Sequence, residues 1–328
     1  MSSSTSASNN DGGGAAAWRD AHVVTVHAEP VASRVNLNAL YDAADALRAK
    51  VESGEALTCC AGRVAALVFF EPSTRTRCSF EAAMYRLGGK VLAIDAKTSS
   101  NKKGETLEDT LRCLECYCDV MVMRHPEIGS SKRGAAVLKR PLLNAGDGAG
   151  EHPTQSLLDV YTMLRERSSQ SLEGAVVTIV GDLKYGRTVH SLVHVLKLYG
   201  VAKLNFVAPQ GLEMPSKVVD TLPMPFSSHE TLSDDVLAET DVMYVTRIQK
   251  ERFEDPSLYE KVAGSFVIDN ATMTKCKSTC VVMHPLPRVG EIKEEVDADP
   301  RAAYFRQMKN GMFVRMALLA LALGVNVK

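Results

Sequence analysis

The sequence has no excess of charge of either sign: 38 Lys and Arg stand against 39 Asp and Glu, for a formal net charge of -1. That balance leaves no electrostatic footprint for a nucleic acid or an anionic membrane surface. No apolar run spans a bilayer, because the longest, near Met312 to Leu323, carries Arg315 and falls short of the roughly 18 to 20 residues required. It predicts a buried C-terminal helix. No secretory leader precedes the eight cysteines (Cys59, Cys60, Cys78, Cys113, Cys116, Cys118, Cys276, Cys280), whose crowding suits few disulfide geometries. They read as reduced thiols of a cytoplasmic protein. A dinucleotide fingerprint is missing, since Gly146, Gly148 and Gly150 have the wrong spacing for Gly-x-Gly-x-x-Gly. His190 and His194 lack the Glu of a His-Glu-x-x-His zinc helix and read as packing or surface residues. Met1 to Ala17 lack aromatic and branched apolar bulk and the Arg of a mitochondrial presequence, so residues 1–17 are expected to be a disordered tail.

What is present is 328 residues, 45% hydrophobic, which at roughly 100 to 200 residues per domain predicts two domains. Leu37, Leu40, Tyr41, Ala44 and Leu47 repeat at helical spacing up to Gly54. Val64 to Phe70 is a continuous apolar run, the mark of a strand covered on both faces, and a helix through Phe80, Ala83, Met84 and Leu87 follows it to Gly88-Gly89. Val91 to Ile94 and Asp119 to Met123 read as further strands around a helix at Thr106 to Tyr117, with Leu142-Leu143 a shorter strand. After a helix from Pro153 to about Arg165 and a polar stretch, strands are expected at Val176 to Val180, Leu204 to Val207, Val242 to Val245, Phe266 to Ile268 and Val281 to Met283. Strands alternating with helices imply parallel sheets. The expected fold is α/β: two domains, 18–165 with 304–328 and 166–303, each a mainly parallel sheet flanked by helices, with the helix Tyr304 to Leu323 returning to the first.

The most informative segment is Phe69-Phe70-Glu71-Pro72-Ser73-Thr74-Arg75-Thr76-Arg77, between the end of a strand and the start of a helix. Ligands of open α/β sheets bind at that junction. Free backbone N–H groups and the helix dipole attract an anion there, and hydroxyls and guanidiniums add donors, so a phosphate is the natural guest. A plain helix cap at Ser73 or Thr74 is the bland alternative, weakened by five consecutive donor-bearing side chains.

Ser73-Thr74-Arg75-Thr76-Arg77 resembles the carbamoyl-phosphate signature of the transcarbamoylases. Further segments resemble the aspartate branch of that family in its chain order: Met123-Arg124-His125-Pro126, Asn144 to Gly148, His152-Pro153-Thr154-Gln155, Gly181 to Thr188, Thr246 to Arg252 and His284-Pro285-Leu286-Pro287-Arg288. The resemblance runs from about Trp18 to the C-terminus. It implies attack of the aspartate α-amino group on carbamoyl phosphate, giving N-carbamoyl-aspartate and phosphate in pyrimidine synthesis. Such chemistry calls for preorganised positive donors, with no need for a metal, a cofactor or a covalent nucleophile.

By that resemblance Ser73, Thr74, Arg75, Thr76 and Arg124 hold the phosphate, while Thr76, Arg124 and His152 reach the carbonyl oxygen. Gln155 and the backbone carbonyls of Pro285 and Leu286 orient the carbamoyl NH2, and Leu286-Pro287 is expected to be cis. His152 alone could be a helix cap or a solvated side chain. Arg187, Arg247 and Gln249 lie at carboxyl ends of strands in the second domain, where guanidinium forks match carboxylates, although a surface salt bridge is the common fate of a single Arg. The polar loop Thr98 to Glu105 would read as a solvated connection. The resemblance implies instead that its Ser99 and Lys103 enter the active site of a neighbouring subunit, making a homotrimer.

Other readings remain open. An ornithine transcarbamoylase shares the phosphate motif, but that branch is expected to carry His-Cys-Leu-Pro where this chain has His284-Pro285-Leu286-Pro287. Gly181 to Thr188 resembles a P-loop with Arg187 in place of Lys, so a nucleotidase is a second class, opposed by the bulky Lys184 and Tyr185. Cys113, Cys116 and Cys118 with Cys276 and Cys280 could pose as a zinc module, but the first group is expected in a buried helix-to-strand setting. Nothing supports a scaffold with relic catalytic residues.

Overall fold

The computed structural model describes residues 13–95, 104–249, 259, 262 and 264–327. The chain divides into two compact units: the first comprises Met1–Met123, Ser131–Leu143 and Phe313–Lys328, the second Arg124–Ser130 and Asn144–Met312.

The first unit begins with α1 (Gly13–Ala16), α2 (Arg34–Glu52), β1 (Val64–Phe69), α3 (Thr74–Arg86), β2 (Lys90–Asp95) and α4 (Leu107–Glu115), followed by β3 (Val120–His125), α5 (Ser130–Val137) and β4 (Leu142–Asp147). Helix α4 starts where the Thr106 hydroxyl accepts the Asp109 N–H at 3.1 Å, and Glu108 and Asp109 in its first turn suit the helix dipole. The strands form a four-stranded sheet in the order β2-β1-β3-β4, with β1 and β2 parallel from Val64 opposite Lys90 to Phe69 opposite Asp95. Ala65 to Phe69 are all buried, as a doubly covered strand requires, and Ala66, Val68, Leu111, Met121 and Leu142 share one core. Strand order reverses at β1, whose carboxyl end delivers Ser73 and α3.

The second unit contains α6 (Pro153–Glu166), β5 (Val176–Val180), α7 (Arg187–Leu196), β6 (Lys203–Val207), α8 (Ser216–Val219), β7 (Phe226–His229), α9 (Asp234–Glu239), β8 (Val242–Val245), the helix Asn270–Lys275 and β9 (Val281–Met283). Its sheet has the order β7-β6-β5-β8-β9, and every pairing is parallel. The chain moves outward one way from β5 through β6 and β7 and the other way through β8 and β9, so β5 and β8 flank a topological switch point. Val180, Val207, Met243, Val245 and Val282 fill the core around it.

The C-terminal helix Tyr304–Ala322 belongs to the second unit up to Met312 and to the first from Phe313 onward. In the first unit its Arg315 donates to the Ser79 hydroxyl at 2.8 Å and lies over the Phe80 ring at 5.1 Å.

Several expectations change. Residues 1–12 lie outside the described part, but Gly13–Ala16 is a helical turn, so order begins before the expected end of the tail. Gly14 permits this, because a Cβ there would sit 2.9 Å from the Val35 carbonyl of α2, and the fully buried Trp18 then donates to the Asn36 carbonyl at 2.9 Å. Strand β4 runs to Asp147, beyond Leu142-Leu143, and all six of its residues are buried. Phe266 to Ile268 is no sheet strand: only Ile268 bridges, and its partner is the loop residue Ile292. Strand β7 escaped notice because Phe226 to His229 is polar at an exposed sheet edge. Cys113 and Cys116 are exposed, against the expected burial, while Cys118 is buried. Within the second unit α6 is bonded to the sheet, Tyr244 of β8 donating to Asp159 of α6 at 2.8 Å.

Candidate active site

Ser73 is the N-cap residue of α3, with φ -158° and ψ 91°, yet its side chain makes no capping hydrogen bond. The capping alternative therefore fails for Ser73. Thr74 and Arg75 are exposed, Thr76 is buried, and the helix they open is 13 residues long, with its positive end at this string.

In the second unit the turn after β4 is built around glycine and one acid. Asp147 accepts the N–H groups of Gly129 at 3.0 Å and Glu151 at 2.6 Å, and Gly148 donates to the His125 carbonyl at 2.7 Å. Gly146, at φ +116°, stands where Arg124 and Arg187 converge: a Cβ on it would lie 3.2 Å from Arg124 Nη1 and 3.1 Å from Arg187 Nη2. Arg124 also donates to the Ala145 carbonyl at 3.3 Å, and Arg187 to the Gly148 carbonyl. Two guanidiniums at one backbone position concentrate positive charge and donors there.

His152 follows as the N-cap residue of α6, with Pro153 opening the helix. It is 4% exposed and its side chain does not cap, so neither bland reading of this histidine holds. Its backbone N–H donates to the Ser191 hydroxyl of α7 at 3.3 Å, which ties α6 to α7. One turn on, the Gln155 amide donates from Nε2 to Asp159 Oδ1 at 2.8 Å.

The loops after β5 and β8 meet at the switch point. Asp182 accepts the Tyr185 N–H at 2.9 Å and the Gln249 N–H at 3.5 Å, and Gln249 Nε2 donates to the Tyr185 carbonyl at 3.2 Å. Burial pushes the Asp182 carboxyl above its ordinary value, against the pull of those N–H groups and of Arg247. Arg187 opens α7, and Arg247 lines a cavity of about 280 Å³ with Gly181, Thr246 and Tyr259. Within the second unit the structure thus brings Arg124 to Arg187 and Gln249 to the loop that carries Arg187. Ser73 to Thr76 stand in the first unit, and Ser99 and Lys103 lie outside the described residues.

The loop after β9 holds Pro285 and Leu286. Leu286–Pro287 is cis, as expected, and Leu286 has φ +56°, a left-handed conformation that costs a non-glycine residue about 1–2 kcal/mol. His284 supports it: Nδ1 accepts the Leu286 N–H at 2.8 Å, so Nε2 carries the proton donated to Glu291 at 2.7 Å. Burial pushes the Glu291 carboxyl up, but the hydrogen bonds from His284 and the Val289 N–H outweigh it and leave it below its ordinary value.

The rival classes fare poorly in this geometry. Between Gly181 and Arg187 the backbone N–H groups of Gly181, Leu183, Tyr185 and Arg187 donate to protein acceptors, so these four are not turned toward a phosphate. His190 Nε2 is bonded to the Leu183 carbonyl at 2.6 Å, a packing role. Sequence reasoning missed Asp159, Tyr244 and Gln307, which join around Gln155. Asp159 left one signal, an acid one turn after Gln155 amid Leu157, Leu158, Val160 and Tyr161.

Parallel sheets whose strand ends and following turns carry Arg124, Arg187 and Arg247 define an α/β protein of the kind that takes its ligands at the carboxyl ends of its strands. Residues 29–165 match the aspartate/ornithine carbamoyltransferase carbamoyl-P binding domain, and residues 173–322 the Asp/Orn binding domain of the same family. The aspartate carbamoyltransferase catalytic subunit of Thermoplasma acidophilum is 46% identical over 292 residues, covering 88% of this chain and 94% of that one. The multifunctional protein pyr1-3 of Dictyostelium discoideum is 50% identical over 297 residues, and the aligned stretch is 90% of this chain but only 13% of that protein. The crystal structure of aspartate transcarbamoylase from Trypanosoma cruzi with carbamoyl phosphate and aspartate is similar at a TM-score of 0.89 and 43% identity, covering 93% of this chain and 98% of that one. The chain belongs to the aspartate/ornithine carbamoyltransferase family, on its aspartate carbamoyltransferase side.

Proposed function

We propose that this chain transfers the carbamoyl group of carbamoyl phosphate to the α-amino group of L-aspartate, giving N-carbamoyl-L-aspartate and phosphate. The observation that carries the reading is the convergence of Arg124 and Arg187 on Gly146, in a member of this family whose His152 is buried. The T. cruzi relative, whose structures contain carbamoyl phosphate, aspartate and carbamoyl aspartate, lends support.

In the reaction the amine nitrogen attacks the carbamoyl carbon, the C–N bond forms, and the C–O bond to phosphate breaks with its electron pair leaving on phosphate. The amine proton passes to the departing phosphate. Ser73, Thr74, Arg75, Thr76 and Arg124 bind the phosphate, and Thr76, Arg124 and His152 stabilise the negative carbonyl oxygen. Gln155 Oε1 and the carbonyls of Pro285 and Leu286 accept from the carbamoyl NH2. Arg187, Arg247 and Gln249 receive the aspartate carboxylates, which favours aspartate over the cationic ornithine. Residues 18–165 with 304–328 serve carbamoyl phosphate, and residues 166–303 serve aspartate.

The setting is pyrimidine synthesis in the cytoplasm, in a homotrimer whose subunits exchange Ser99 and Lys103. No described helix is long and apolar enough to cross a membrane. The decisive assay offers carbamoyl phosphate with aspartate and with ornithine in parallel. Carbamoyl-aspartate formation is expected, and citrulline formation in its place would overturn the reading. Mixing Lys103→Ala with His152→Ala chains should restore activity through intact shared sites; no recovery argues against sharing.

A further inference from the structure

The carboxylate of Asp159 has no part in the chemistry above, yet three side chains of the second unit converge on it. Gln155 and Gln307 donate from Nε2 to its Oδ1 at 2.8 and 2.6 Å, and the Tyr244 hydroxyl donates to its Oδ2 at 2.8 Å. Asp159, Gln307 and Tyr244 are fully buried and Gln155 is 6% exposed. Burial, reinforced by the Asp159 carboxylate, holds the Tyr244 hydroxyl well above the ordinary phenol range, so it stays a donor.

A carboxylate only accepts hydrogen bonds, so it dictates which way both amides face. A flipped Gln155 would set its oxygen against Oδ1, acceptor to acceptor. With Nε2 held inward, Gln155 Oε1 faces away from Asp159. Gln307 is oriented in the same manner, and its Oε1 accepts the His284 backbone N–H at 3.0 Å. His284 in turn carries the Leu286 N–H on its ring. One buried acid therefore connects α6, the C-terminal helix and the loop after β9.

We propose that Asp159 is a positioning residue for carbamoyl transfer, setting the Gln155 amide directly and the His284–Leu286 loop through Gln307. The two groups that receive the carbamoyl NH2 are thus oriented from a single anchor. This rests on the roles given above to Gln155, Pro285 and Leu286.

The test is a double-mutant cycle in the full chain, read by steady-state kinetics with carbamoyl phosphate and aspartate and by calorimetric binding of inorganic phosphate. Asp159→Leu keeps much the same shape and removes both acceptor oxygens, releasing all three donors. The kcat is expected to fall roughly ten- to hundredfold, the loss that attends a broken hydrogen bond to a charged group. The aspartate KM and the phosphate affinity should stay within about twofold of wild type, a split that a general loss of structure would not produce. Combined with Gln155→Ala, the loss should fall short of the product of the single losses, because Asp159 acts through Gln155. Multiplicative losses, or a parallel decline of phosphate affinity and aspartate KM, would overturn the proposal. If Asp159→Leu does not fold, Gln307→Met decides: it keeps the Asp159 to Gln155 bond and cuts only the link to the loop, so a folded variant with wild-type kcat overturns the role. A wild-type chain that makes no carbamoyl-aspartate overturns the underlying reading as well. An active wild type with multiplicative losses overturns the Asp159 role alone.

Discussion

Replacing Gly146 by Ala isolates the arginine pair without deleting either arginine. The residue sits at φ +116°, and its new Cβ would lie 3.1 Å from Arg187 Nη2 and 3.2 Å from Arg124 Nη1. The backbone alone costs on the order of 1–3 kcal/mol at such a φ. At about 2–4 °C per kcal/mol for units of this size, the Tm should fall by roughly 2–12 °C. The steric effect is separate. At those separations both guanidiniums must yield by a few tenths of an ångström, which spoils their bonds to the carbonyls of Ala145 and Gly148 and their aim at a shared anion. A charge-assisted hydrogen bond is worth about 1.5–3 kcal/mol net, so kcat/KM should fall about ten- to hundredfold. Gly174→Ala is the matched control, since Gly174 has φ +70° and nothing within 4 Å of its added Cβ. It should lower Tm and leave kcat/KM intact. Thermal melts and initial rates on both variants read the two effects apart. If Gly146→Ala loses no more activity than Gly174→Ala, the convergence of Arg124 and Arg187 has no catalytic meaning.

Further outcomes follow from the same geometry. His152→Ala should lower kcat by about 10²–10³ and leave carbamoyl-phosphate affinity nearly unchanged, and a near-normal kcat rejects the polarising role. Arg247→Ala should raise the aspartate KM with less effect on saturation by carbamoyl phosphate; unchanged aspartate saturation refutes its assignment. The Glu291 carboxyl lies below its ordinary value of 4.5 in the folded protein. Its contribution to stability is therefore complete above that value and is lost as the pH falls through the lower, folded one. Glu291→Gln should melt earlier than wild type at pH 7, with the gap closing below about pH 4.5; a gap independent of pH contradicts this.

The units of regular structure were legible because burial leaves a period in the chain. Val176 to Val180 is apolar but for Thr178, Val242 to Val245 is apolar throughout, and the observed strands have those bounds. Where polar residues are buried for other reasons, the period fails. Asn144, Gly146 and Asp147 extend β4 while looking like loop, because their partners, Gly129 and Glu151 for Asp147, come from turns that the sequence does not mark. Phe266 to Ile268 is apolar enough for a strand, yet Ile268 finds its backbone partner in a nearby loop.

The site divides in the same manner. Each motif could be read locally: Ser73 to Arg77 at a strand-to-helix junction, Arg187 and Arg247 beyond strands β5 and β8. The chain order of those motifs determined the family and the chemistry they point to. Only the tertiary structure decided that Arg124 and Arg187, far apart in sequence, close on one glycine. It alone showed that Asp159 of α6 meets Tyr244 of β8 and Gln307 of the C-terminal helix. The reason is physical: a side chain's type and the period around it are local properties of the sequence. Which donors surround a buried carboxylate depends on how sheet and helices pack, and that packing is set by every residue in the core at once.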